Sequence, residues 1–123
     1  MYYAQPLSGA YTAMEDALLS PKRAEAQGIA ALTRRMIAGF RDEGVPFSRR
    51  ADLLHENRRL WYAVLLSAAD ADNPMPETLR AGLVSLGAFV DRSTSELLAG
   101  RGDVRVLIEI NRRVVAGLAT GGG

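Results

Sequence analysis

Apolar residues return at every third or fourth position over most of this chain, and no segment has a convincing period of two. The stretch from Leu53 to Leu65 is the plainest case. Leu53, Leu54, Leu60, Trp61, Val64 and Leu65 recur at the spacing that gathers side chains onto one face of a helix. Asn57 falls inside that stripe, while His55, Glu56, Arg58 and Arg59 turn to the polar side. The same order returns as Ile108-Glu109-Ile110-Asn111-Arg112-Arg113-Val114. Two helices, each with an asparagine on the apolar face followed by two arginines, form the chain's signature.

Capping and breaking residues divide the pattern. Ser20-Pro21 is a helix start, a hydroxyl at the cap and a proline where its missing N–H costs nothing. Ile29, Leu32, Met36, Ile37 and Phe40 make the first stripe, which Gly44, Val45 and Pro46 end. Ser48 is the expected cap of the second helix, which runs to about Ala69. Asp70 to Pro76 reads as a turn, because residues before proline are steered away from the helical region. Pro76 then opens a third helix with Leu79, Leu83, Leu86, Val90 and Leu97 in one stripe and Phe89 and Leu98 beside it. Gly82 and Gly87 within it cost roughly 1 kcal/mol each relative to alanine, which close packing against a neighbouring helix would explain. Gly100 and Gly102 close this helix, and Asp103 caps a fourth that carries Val104, Leu107, Ile108, Asn111, Val114 and Leu118.

The ends read differently. Residues 1–19 form a loose arm, with Tyr2, Tyr3 and Tyr11 among Pro6, Ser8 and Gly9. Within it Thr12 to Leu19 has the makings of a turn or two of helix, too short to persist unless docked. Residues 119–123 read as a flexible Gly-rich tail. The expectation is an all-α fold: one domain spanning residues 1–123, a bundle of about four roughly antiparallel helices with short connections.

Composition narrows the functional classes. At 123 residues the chain is one domain, able to bury roughly two thirds of its unfolded surface. It has no cysteine, which excludes disulfides and thiolate-zinc sites, and nothing points to secretion. A net charge of +1 does not suggest a nucleic-acid or membrane surface. No signal peptide is visible, and no apolar run approaches the roughly 20 residues of a membrane span. A cytoplasmic protein with no membrane partner is expected.

Catalysis fares badly as a reading. The lone histidine, His55, lies beside Glu56 and near Asp52, but nothing close by offers an activated nucleophile. The carboxylates fall about one to a turn as helix partners of arginine, and no phosphate-cradling glycine loop is present. No enzyme, no metal site and no cofactor are expected. Asn57 and Asn111 carry more information, since a buried amide must find partners or lose on the order of 1–3 kcal/mol. Either each bonds a carbonyl, another polar group or the other asparagine, fixing helix register, or one or both line a groove for a partner helix. The residues favour the first. Trp61, the single tryptophan, reads as a core anchor before a partner-facing hot spot. Arg58, Arg59, Arg112 and Arg113 would make one basic patch if the second and fourth helices were neighbours.

Further residues carry a resemblance. These are Met1-Tyr2 with Ala4 and Gln5, Ser20-Pro21 with Glu25-Ala26, Asn57-Arg58-Arg59-Leu60-Trp61, and Asp72-Asn73-Pro74-Met75-Pro76. Leu86-Gly87, Phe89-Val90-Asp91-Arg92, Leu107-Ile108-Glu109-Ile110-Asn111-Arg112 and Ala116-Gly117-Leu118 follow in order. Together, at this spacing, they resemble the flagellar protein FlaF family, small flagellin regulators of alphaproteobacterial flagellar systems. Met14, Glu15, Asp16, Ala17, Leu18 and Leu19 depart from the polar linker expected at 7–19, and the Gly-rich tail is particular to this chain.

The resemblance implies a non-enzymatic cytoplasmic factor that promotes flagellin synthesis or secretion, with flagellin as its partner. It also implies a link to a second regulator, FlbT, which restrains flagellin translation. The leading expectation is a flagellin-binding chaperone. It would have a groove beside the second helix, with Trp61 and Tyr62 as apolar contacts and Arg58 or Arg59 as orienting charges. Asn57, Asn111 and Arg112 complete the expected partner-binding set. The alternative is a post-transcriptional regulator acting on flagellin messenger RNA, directly or through FlbT; a structural part of the flagellar machine is a third class. A homodimer stays open.

Overall fold

A computed structural model describes residues 26–70, 72 and 74–120, and side chains as far as residue 117. The expected arm at 1–19, the Ser20-Pro21 helix start and the last three residues of the tail lie outside the described residues. Among those described, the chain is four helices and no strand: α1 at 26–41, α2 at Phe47–Ala69, α3 at Glu77–Leu98 and α4 at Arg105–Thr120. The all-α expectation is met. Helix α4 runs two residues into the span expected as tail, because nothing breaks it before Gly121.

Local chemistry sets each turn. After α1, the Gly44 N–H donates to the Asp42 carboxylate (2.8 Å), and Pro46 is extended, with ψ 155°. The amides of Arg49 and Arg50 donate to the Pro46 carbonyl, at 3.1 and 3.3 Å. Pro46 therefore caps α2, with no side-chain hydrogen bond, and the expected cap Ser48 sits inside the first turn. The reason is that the proline carbonyl, held by the tight turn, already starts the ladder. Arg50 finishes the corner: its guanidinium donates to the carbonyls of Gly39 (3.1 Å), in the last turn of α1, and Asp42 (2.7 Å), which also accepts from the Val45 N–H, and it lies over the Phe40 ring.

Helix α3 ends in a Schellman motif. Gly100, at φ +85°, donates to the Leu97 carbonyl (3.0 Å), and the Arg101 N–H reaches back to Glu96 (2.8 Å). Asp103 then caps α4 as expected, its carboxylate accepting from the Arg105 N–H at 2.9 Å.

The helices run alternately up and down. Gly28 lies against Leu60 and Arg35 pairs with Glu56, so α1 and α2 are antiparallel. Arg58 reaches Ser95 and Leu65 lies under Gly87, so α2 and α3 are too. Helix α3 packs in turn on α4. Residues 30–37 of α1 and residues 112–115 of α4 line a common groove, so α1 stands between α2 and α4. Helices α2 and α4 are therefore diagonal partners and meet through side chains across the core.

That core is built from the predicted stripes. Ile29, Leu32 and Met36 from α1, Leu53, Leu54, Trp61 and Val64 from α2, Leu83 and Val90 from α3, and Leu107 and Val114 from α4 are all buried. Gly87 is where α2 and α3 come closest. A Cβ there would stand 2.5 Å from Leu65 Cδ1, 2.9 Å from Cδ2 and 3.0 Å from Cγ. Close packing explains this glycine. It does not explain Gly82, whose Cβ would meet nothing within 4 Å among the described residues.

Across the diagonal runs a buried polar chain. The Trp61 indole N–H donates to Asn111 Oδ1 at 2.9 Å, and Asn111 Nδ2 donates to Asn57 Oδ1 at 2.8 Å. All three residues are at most 1% exposed. Asn57 Nδ2 has no hydrogen-bond partner among the described residues.

Two outcomes follow for stability. Asn111→Leu strands the Trp61 N–H and the Asn57 carbonyl together, and should cost about 3 kcal/mol. Adding Asn57→Leu should cost less than the sum of the two single losses, in denaturant titrations followed by fluorescence of Trp61. Strictly additive losses would count against the chain of hydrogen bonds. Gly87→Ala gains roughly 1 kcal/mol in helix propensity but overpacks Leu65 at a cost of about 1–3 kcal/mol. The same titration should show a net loss.

Candidate partner-binding surface

The residues singled out in the sequence separate into an inner and an outer set. Asn57, Trp61 and Asn111, expected among the partner contacts, are buried in the core of this fold. The asparagine–asparagine bond that would fix helix register is formed. Each of the three falls on its helix's apolar stripe and bonds across the diagonal, and of their polar atoms Asn57 Nδ2 has no partner among the described residues.

The arginines diverge. A residue following an inward asparagine is turned about 100° around the helix, so Arg58 faces α3, and Arg59 is carried round to the α1 side. Arg58 donates to Asp91 (3.4 Å) and to the Ser95 hydroxyl (3.3 Å), and its other nitrogen lies 3.4 Å from His55 Nδ1. Arg59 lines a groove with Gly28, Ala31, Arg35, Glu56 and Leu60. There Arg35 grips Glu56 with both nitrogens and holds its carboxyl below the usual range, with Arg59 and Arg49 adding to the effect.

Helix α4 repeats the arrangement about the bundle axis. Arg112 lines the α1/α4 groove and Arg113 turns to the α3 side, bonded to Glu109 at 2.8 Å. The two arginine pairs thus lie on opposite sides of the molecule. The single basic patch conditional on adjacent helices does not form, because α2 and α4 are diagonal.

What the geometry does assemble is a mixed face along α2 and α3. Arg58, Tyr62 and Leu66 follow one another at four-residue spacing on α2. Val84, Ala88, Asp91 and Ser95 do the same, at four- and three-residue steps, on α3. The Tyr62 hydroxyl donates to Asp91 Oδ1 at 2.8 Å, and that bond raises the phenol's pKa and keeps it protonated. The antiparallel register places Leu66 at a level between Val84 and Ala88. Tyr62, Leu66 and Val84 are 48%, 75% and 51% exposed, large apolar surface left to solvent. At one end of this strip sit Arg58, Asp91, Ser95 and His55, and at the other the uncharged Leu66 and Val84.

Sequence reasoning named Tyr62 and Arg58 but missed Leu66 and Val84. A signal existed: each directly follows a stripe residue, Leu65 or Leu83, and so is an apolar side chain turned toward the polar side. Among the described residues no cluster of acidic groups and histidine has the makings of a metal site, and no helix is long and apolar enough to cross a membrane.

No curated protein and no solved structure matches the chain. The family comparison is extensive. The flagellar protein FlaF family matches residues 7–118, from ahead of α1 to the last turn of α4, as the resemblance in the sequence implied. The chain therefore belongs to the flagellar protein FlaF family, and its role is a flagellar one.

Proposed function

We propose that this protein acts by binding flagellin in the cytoplasm before export, as a chaperone that promotes flagellin synthesis and secretion, and that the α2/α3 face is the binding surface. The observation that carries the reading is the strip of Tyr62, Leu66 and Val84, exposed on a small bundle whose family role is flagellar. An amphipathic helix laid along α2 and α3 would bury these side chains, and Arg58 and Asp91 would orient its polar groups. Peptide segments that fold on binding suit such a face, because they gain the apolar burial that they lack alone. The groups at this face offer apolar contact and charge, with no paired acid and base or activated nucleophile, so the protein is proposed to be a binder and not an enzyme. FlbT is the second partner considered.

The messenger-RNA alternative gains less support. Direct contact with a phosphate backbone calls for contiguous arginines, and here the two pairs are divided between opposite sides of the bundle.

The test is retention of flagellin and of flagellin messenger RNA by the purified protein at low and moderate salt. Flagellin should be retained with little salt dependence. Leu66→Glu with Val84→Glu should weaken retention at least tenfold without moving the unfolding midpoint. Arg58→Ala should weaken it by a smaller factor. Arg59→Ala, on the α1 side, should leave it unchanged. Retention of RNA alone, falling steeply with salt, or retention of neither, would overturn the proposal.

A further inference from the structure

At three of the four helix junctions an arginine has a carboxylate partner. Arg35 is paired with Glu56 between α1 and α2, Arg58 with Asp91 between α2 and α3, and Arg113 with Glu109 beside the α3/α4 groove. The α1/α4 junction differs. Arg34 stands on its α1 wall and Arg112 on its α4 wall, both exposed, and neither has an ion-pair or hydrogen-bond partner among the described residues. The two helices have no carboxylate to give them. Residues 26–41 contain no Asp or Glu, and the one acidic residue of α4, Glu109, is held by Arg113 on the α3 side. Arg41, also exposed and without a partner among the described residues, lies seven residues on from Arg34. It continues the same row about 10 Å along α1.

Between these arginines the floor is apolar. Ala30, Thr33, Ile37 and Val115 line a groove of about 240 Å³. The Thr33 hydroxyl donates to the Ile29 carbonyl at 2.6 Å, so no polar group of the floor is left seeking a partner. A cavity of ~150 Å³ lined by aliphatic side chains holds a benzene ring, so this groove has room for an aliphatic side chain. We propose that the α1/α4 groove docks an acidic amphipathic helix of another protein. Its apolar residues would lie on the floor, and its Asp or Glu side chains against Arg34 and Arg41 on one rim and Arg112 on the other. This surface is on the side of the bundle opposite the α2/α3 face. It therefore goes beyond the function proposed above, and would let the protein hold two partners at once.

Charge and shape together select this occupant. A second copy docked by a two-fold axis would set the surface against itself, and Arg34 and Arg112 would then meet only like charges. A membrane surface needs apolar groups that project into the lipid, whereas Ala30, Ile37 and Val115 are half-buried between the arginines. RNA would leave the floor empty, because no aromatic side chain lines the groove for a base to stack on. A helix laid in the groove meets both demands. Carboxylates two turns apart on it match the spacing of Arg34 and Arg41. Complementary charge of this kind sets partner choice and speeds encounter more than it raises affinity. The α2/α3 face makes no such selection, since its Arg58 already has Asp91.

The probe is a fluorescein-labelled peptide of about 18 residues, long enough to form a helix, with leucines on one face and glutamates on both flanks. Fluorescence anisotropy follows its binding to the intact chain. At low salt it should bind at least tenfold more tightly than versions with glutamine for glutamate or serine for leucine, and weaken as salt rises. Arg34→Glu with Arg112→Glu should weaken binding at least tenfold, and a peptide with lysine for glutamate should then bind that variant. Arg92→Glu, the same change of charge over Phe89 on α3, should leave binding as it was. All three arginines are exposed, so the unfolding midpoint read by Trp61 fluorescence should stay in place. No binding by the parent chain, or equal binding by the double variant or of the serine peptide, would overturn the proposal. So would tighter binding of polyuridine RNA or phosphatidylglycerol vesicles through the same two arginines, or self-association that their substitution abolishes. Flagellin takes no part in this readout, so the proposal stands or falls apart from the function proposed above.

Discussion

A buried amide has to be answered by other polar groups, and in this bundle the answer comes from the diagonally opposite helix. Asn111 is the centre of the arrangement: its carbonyl accepts from the Trp61 indole and its amide donates to Asn57. Turning either helix by one residue would swing these groups about 100° out of alignment and leave several of them desolvated, at about 1–3 kcal/mol apiece. An apolar core of the same volume would tolerate slippage far better. The three side chains thus select one register of α2 against α4. Since α1 and α3 fill the two spaces between that pair, the register of the whole bundle follows. Asn57 Nδ2, without a partner among the described residues, shows that the selection has a cost, which the surrounding burial of leucine, isoleucine and valine offsets.

From that inner constraint the outer surface is determined. With both asparagines pointing inward on helices that run the same way, the arginine that follows each turns to the same relative side. Arg58 goes toward α3 and Arg112 toward α1, and the next arginine of each pair goes the opposite way. A repeated motif that suggests one concentrated basic surface instead distributes its charge over four separate grooves. The consequence, among the described residues, is that the two arginine pairs do not merge into one basic patch.

Two apolar surfaces differ in kind. The α2/α3 face is broad and mixed, its apolar strip bounded by the Arg58–Asp91–Tyr62 network, and it suits a partner helix with its own polar edge. The α3/α4 groove is almost uncharged, with Arg113 its one charged lining residue, and is open at Gly82 and Gly117.

Much of this was legible in the residues alone. Period and punctuation located all the described helices, the Gly100 terminus and the Asp103 cap, because these depend on interactions within a few residues of one another. The inward aspect of Asn57, Trp61 and Asn111 was legible too, since each lies on its helix's apolar stripe. Periodicity states where a side chain points relative to its own helix axis and nothing about which helix stands there. Only packing could decide that α2 and α4 face each other across the diagonal, that Asn111 bonds both Trp61 and Asn57, and that Arg58 and Arg59 part company. Only packing could separate Gly87, held by Leu65, from Gly82, which faces open space. The same limit hid Leu66 and Val84. Their exposure is the outcome of how closely α2 and α3 approach, a distance set by long-range contacts that no local pattern encodes.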